Sequence, residues 1–138
     1  MKRNSGIFLF NRGKFLLVHS TNKNSLAWSI PKGSVKGSLT AEQVVVKKLE
    51  QVANIDRKMY GPITLLGEER NPIGNTSFLG HVATIRDPLM KLDLSCNYIV
   101  DDSASKKSFP AIDEYMWVTK EEGARFLPPY FSKLIEKL

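Results

Sequence analysis

Cysteine is nearly absent from this chain of 138 residues, with Cys96 the only one. That excludes an internal disulfide framework and a thiolate-rich zinc site, and it leads to the expectation of a reducing, cytoplasmic setting. Long apolar runs are missing too: Ile7–Phe10 and Phe15–Val18, among the longest, stop after four residues. A membrane-crossing helix needs about 20, so no membrane partner is expected. The basic N-terminus is not followed by the apolar stretch of a secretory signal, and none is expected. No repeat, low-complexity tract or Pro/Gly/Ser-rich linker divides the sequence, which predicts a single domain over residues 1–138 with its own core.

Acidic residues are scarce in the first part of the chain. Residues 1–58 hold 11 Lys/Arg against 3 Asp/Glu, a net +8, whereas residues 59–138 hold 9 against 11, a net −2. The basic part suits an anionic partner such as a nucleotide or a nucleic acid, or simply solubility. No nucleic-acid-binding signature accompanies it.

What is present is alternation. Ser5–Asn11 and Lys14–Ser20 are β-favouring runs on either side of Arg12-Gly13, the pattern of a hairpin. Asn22–Ser29 is a polar connection, and Pro31-Lys32-Gly33 and Gly37 punctuate the chain. From Thr40 to Ala53 the period becomes helical, with Ala41, Val44, Val45, Leu49 and Val52 on one face. Thr40 is the expected cap with Gln43 its capping-box partner, and Asn54 suits a left-handed end. Tyr60–Glu69 and Thr76–Ile85 are expected strands around a turn at Asn71–Asn75. Arg86–Asp93 is an expected loop, Asn97–Val100 a short strand and Asp101–Lys107 a mobile polar stretch. Glu114–Val118 is an expected strand and Lys120–Phe126 a helix stopped by Pro128-Pro129. Tyr130–Leu138 closes the chain as an amphipathic helix. This order predicts an α+β fold with helices packed on a mixed sheet.

The chemistry concentrates between Trp28 and Ala53. A glycine-bearing loop entering a helix can aim backbone N–H groups at an anion, and Lys32, Lys36, Lys47 and Lys48 add positive charge. A plain surface turn explains the glycine equally well. On the helix, Lys48 falls inside the apolar stripe, so its side chain must snorkel, pair with a buried carboxylate or face a cleft.

Gly33 to Ile55 resembles the box of the Nudix hydrolases, matched without a gap. Gly33 is the opening glycine, Lys47 stands for the arginine, and Leu49 and Ile55 fill the apolar positions; Trp28–Gly33 resembles the approach to the box. The resemblance covers essentially the whole chain and implies the Nudix α/β/α sandwich, a mixed sheet between helices. It also implies a nucleoside diphosphate or polyphosphate ligand and, in an active enzyme, Mg²⁺ held by glutamates that activate water against a diphosphate linkage. Here those glutamate positions hold Leu39, Lys48, Gln51 and Val52, and the late glycine is Asn54. Of these only Gln51, through its amide oxygen, offers a weak metal ligand. No metal is therefore expected at the box.

Carboxylates elsewhere are the remaining candidates. Glu68 and Glu69 end a predicted strand, whose alternation sends one of them inward, where it would match the downstream carboxylate of the family and, with Gly33, any metal that is held. Asp113 and Glu114 are further candidates, and Glu42 and Glu50 point away from the Lys48 face. The expected substrate contacts are Lys32, Gly33, Lys36, Lys47, Lys48 and Gln51. The Lys48 ammonium is expected where the family keeps its metal, neutralising Glu68 or Glu69 or touching a phosphate. The expected function is nucleotide, phosphate or partner binding with lost or reduced hydrolysis. The alternative is a Mg²⁺-dependent pyrophosphohydrolase acting through Glu68 or Glu69. His19 and His81 are expected as hydrogen-bonded strand residues, and Tyr98, Tyr130 or Phe78 as candidates to stack on a base.

Overall fold

A computed structural model describes residues 2–21, 27–71, 74–102 and 107–138. Most of the polar connection, the centre of the turn at Asn71–Asn75 and residues 103–106 of the expected mobile stretch lie outside these residues. Strands β1 (Lys2–Asn11) and β2 (Lys14–Ser20) form the expected hairpin, and the short strands β3 (Trp28–Ser29) and β4 (Lys32–Ser34) follow. Helix α1 (Ala41–Ala53) leads to a 3₁₀ turn at Arg57–Met59 and the pair β5 (Thr64–Asn71) and β6 (Thr76–Thr84). Strands β7 (Ile99–Asp102), β8 (Lys107–Pro110) and β9 (Ile112–Val118) precede α2 (Lys120–Phe126), a 3₁₀ turn at Pro129–Phe131 and α3 (Ser132–Glu136).

The main sheet runs β3-β2-β1-β6-β5, with β4 on the free flank of β1 and β9 on β2. It is mixed: β1 and β6 are parallel from Lys2↔Thr76 to Phe10↔Thr84, and the other pairings are antiparallel. β1 meets β2 only near the hairpin turn, at Phe10↔Phe15 and Asn11↔Lys14. Its other end is taken by β4, at Asn4↔Ser34, Ser5↔Gly33 and Gly6↔Lys32.

Each face of the sheet buries its own apolar layer. Ile7, Leu9, Leu16 and Val18 pack under Val45, Leu49 and Val52 of α1. On the other side Phe8, Phe15, Leu17 and Phe78 pack under Phe131, Leu134 and Ile135. Each such side chain contributes roughly 1.5–3 kcal/mol through burial, which offsets the weak helix propensity of the three valines in α1. The helix is well ended. Thr40 Oγ1 accepts from Gln43 N–H at 3.1 Å while Thr40 N–H donates to Gln43 Oε1 at 2.8 Å, and Asn54 stands in the left-handed region at φ 57°. α1 on one face and α3 on the other make the α/β/α sandwich.

Four expectations are corrected. The punctuated Trp28–Gly33 segment contributes to two short strands, because the flanks of β2 and β1 supply pairing partners to residues too few to announce a strand themselves. The strand expected from Tyr60 starts at Thr64, Tyr60 making only a single bridge to Ile85. The polar stretch after Val100 includes strand residues of a β7–β8 hairpin, registered Asp101↔Ser108 and Asp102↔Lys107. The closing helix begins as a 3₁₀ turn at Pro129–Phe131 and is α-helical only over Ser132–Glu136.

Candidate functional site

The segment that resembles the box falls on the α1 face of the sheet, around Gly33. Ser5, the register partner of Gly33, donates its hydroxyl to Ala41 O at 2.7 Å, which docks β1 and β4 against the first turn of α1. Gly33 itself lies in β4, before the turn at Gly37, and is needed for close approach. A Cβ at position 33 would stand 2.7 Å from Lys48 Cε and 3.2 Å from both Lys48 Cγ and Val44 Cγ1. The glycine is the floor over which the lysine stem passes.

Lys48 thus snorkels out of its apolar stripe. Its Nζ comes to rest 4.3 Å from the centre of the Tyr98 ring, a cation–π contact worth about 0.5–1 kcal/mol at an exposed site. Tyr98 is held there by main-chain bonds: Asn97 N–H and Tyr98 N–H both donate to Gln51 O, at 2.7 and 3.2 Å. Burial, reinforced by the nearby charge of Lys47, lowers the Lys48 pKa below the usual lysine value. Among the described residues no carboxylate lies within ion-pair distance of this ammonium, so the expected neutralisation by Glu68 or Glu69 does not occur. The Oε1 of Gln51 is buried without a hydrogen-bond partner.

The structure separates the two strand acids. Glu68 lies on the α1 face, where it accepts from Arg3 Nη2 at 3.4 Å and, weakly, from Ser77 Oγ at 3.5 Å. Glu69 pairs in register with Phe78 and lines the groove beside Tyr130 and Lys133 on the opposite face. A β-bulge between Leu65 and Gly67 shifts the register just before them. Among the described residues no cluster of three His, Cys, Asp or Glu side chains could hold a metal ion.

The lysines divide as well. Lys36 and Lys47 are exposed on the α1 side. Lys32 is the register partner of Gly6 and therefore points to the α3 face, into a cleft of about 320 Å³ shared with Trp28 and Tyr130. Desolvation by its surroundings, with the charge of Lys2, holds its pKa below the ordinary value even though part of the side chain meets solvent. Phe78 is buried beneath Phe131, ring centroids 4.7 Å apart, and is closed to a ligand. Both histidines are bonded strand residues. His81 Nδ1 donates to Gly6 O at 3.1 Å, and His19 Nδ1 lies 2.7 Å from Asp113 Oδ1. Arg3, 65 residues from Glu68 in sequence, is a site neighbour that no local pattern marked.

No family model and no curated protein matches the chain. Solved structures do. An Ap4A hydrolase from C. elegans superposes with a TM-score of 0.70 at 15% identity, over 99% of this chain and 94% of that one. A MutT protein from Methanosarcina mazei gives 0.65 at 19%, over 99% and 91%. The NUDIX domain of Shewanella oneidensis NrtR, solved with ADP ribose, gives 0.66 at 17%, over 98% and 84%. Layer order, mixed sheet and nearly full mutual coverage lead to one conclusion: this chain has the fold of the Nudix hydrolases.

Proposed function

We propose that this protein is a Nudix-fold module that binds the phosphates of a nucleoside diphosphate or polyphosphate without hydrolysing them. One observation carries the reading: the box face presents the Lys48 ammonium, unpaired with any described carboxylate, where a metal site needs acids. An ammonium holds phosphate as a point charge, but it cannot activate water as a coordinated divalent ion does. Tyr98 is a neutral partner, so an incoming phosphate need not displace a competing anion. Lys36 and Lys47 add exposed charge on the same side. Lys32 and Gly33 are neighbours on β4, which pairs only with β1 among the described strands. A ligand wrapping that edge meets Lys48 on one face and Lys32, Trp28 and Tyr130 on the other, with rings available for a base. The solved neighbours named above include one bound to ADP ribose, which supports this ligand class as the first to test.

A hydrolase using Mg²⁺ and Glu68 is the alternative. Glu68 is the acid on the correct face, but a single carboxylate already engaged by Arg3 is a poor ligand set for an ion that needs several oxygens. Calorimetric titration with ADP ribose and ATP, in Mg²⁺ and in EDTA, together with a product assay, separates the readings. The expected result is binding insensitive to EDTA, weakened about tenfold by Lys48→Met as one charge-assisted contact is lost, and no Mg²⁺-dependent product. Mg²⁺-dependent turnover abolished by Glu68→Gln would overturn the proposal.

A further inference from the structure

At the far end of β1 from the box, an open cavity of about 550 Å³ separates the β1–β2 turn from the segment around Pro88–Leu92. From Ser5 to Asn11 a strand advances roughly 20 Å at its usual rise, so this cavity is distinct from the Lys48 face. Its volume is that of a small-molecule site.

Three observations give it a chemical character. Arg12 has φ 55° and Gly13 φ 80°, a primed two-residue turn whose first position is ordinarily Asn, Asp or Gly. An arginine is costly there, and backbone outliers of this kind gather at functional sites. Its Nε donates to Pro88 O at 2.8 Å, fastening the turn to the facing segment, while its terminal Nη groups have no partner among the described residues. Next to it, Asn11 Oδ1 is buried with no hydrogen-bond partner, an acceptor that lacks a donor. The remaining lining is the half-buried Trp117 ring with Met90 and Leu92, and the exposed Lys14 stands at the rim.

We propose that this cavity is a second binding site, for a small anion carrying a flat ring with an N–H donor, of which a purine nucleoside monophosphate is the simplest example. The ring lies against Trp117 and gives its N–H to Asn11 Oδ1. The phosphate meets the Arg12 Nη groups and Lys14 Nζ, a planar fork and a point charge. The site is independent of the box and does not rest on the reading given for it.

The test uses the intrinsic fluorescence of Trp117. The chain has two tryptophans, so Trp28→Phe leaves Trp117 as sole reporter. In that background GMP is expected to give a saturable change, and guanosine and ribose 5-phosphate, each half of the ligand, one at least tenfold weaker. Arg12→Gly, which suits the left-handed backbone, and Asn11→Leu are each expected to weaken GMP tenfold or more. Lys48→Met leaves the response unchanged, so failure here and failure at the box are distinguishable. The proposal is overturned if the folded Trp28→Phe protein shows no saturable response, if ribose 5-phosphate matches GMP, if Arg12→Gly with an unaltered circular dichroism spectrum binds GMP as before, or if Lys48→Met abolishes the signal.

Discussion

A glycine and a lysine fifteen positions apart share one volume, and their coupling is measurable. Gly33→Ala drives a methyl group into the Lys48 stem and against Val44, an overpacking expected to cost about 1–2 kcal/mol. Truncation of the lysine empties most of that space. The expected outcome of urea melts on Gly33→Ala, Lys48→Ala and the double variant is therefore a positive coupling, with Gly33→Ala nearly neutral in the Lys48→Ala background. The lysine also sets a pH dependence. Only its ammonium attracts phosphate, and burial followed by Lys47 holds its pKa below 10.5. Affinity for a phosphate ligand should consequently fall as pH rises, beginning below the pH at which an exposed lysine titrates. Calorimetry across the alkaline range, with Lys48→Arg as the variant that does not lose its charge, checks this: the decline should shrink in the arginine protein, leaving the part that Lys32 and the exposed lysines contribute.

Among the elements, α1 was the most legible and the least dependent on context. Its period, its Thr40/Gln43 box and its Asn54 end were each visible in adjacent residues, and each formed. Thr40→Ala removes the acceptor for Gln43 N–H, and a loss of about 1 kcal/mol in chemical denaturation is expected. The hairpin was legible for the same reason. β3 and β4 were not, because two- and three-residue strands carry no period and exist only where β1 and β2 offer a flank. Strand alternation announced that Glu68 and Glu69 would part, but not which faces α1, since the bulge at Leu65/Gly67 resets the parity just upstream. That Leu39, Lys48, Gln51 and Val52 are not acids was plain in the sequence. The partner Lys48 finds instead was not, because Tyr98 reaches it through main-chain bonds to Gln51 that no side-chain pattern encodes.

For the molecule as a whole, alkaline stability follows from its tyrosines. Burial pushes Tyr60 up to about 12, and Tyr115, whose hydroxyl donates to Val52 O, also to about 12. A phenol whose folded pKa exceeds its unfolded value near 10 stabilises the fold below pH 10. That contribution is lost as pH rises through the folded value. Stability is expected to drop between about pH 10 and 12, with phenolate absorbance showing a late-titrating class that merges with the rest after denaturation. Tyr115→Phe removes one late titration and, by losing the bond to Val52, about 1 kcal/mol of stability.

The parallel union of β1 with β6 also orders events in time. Gly6 O and His81 Nδ1 are 75 residues apart in sequence, and β1 cannot gain its longest partner until Thr84 has been synthesised. On a ribosome the first half therefore waits with an unpaired flank. In refolding, a pairing this distant must meet its loop-closure entropy before its contacts form, which slows folding relative to a helical chain of the same length.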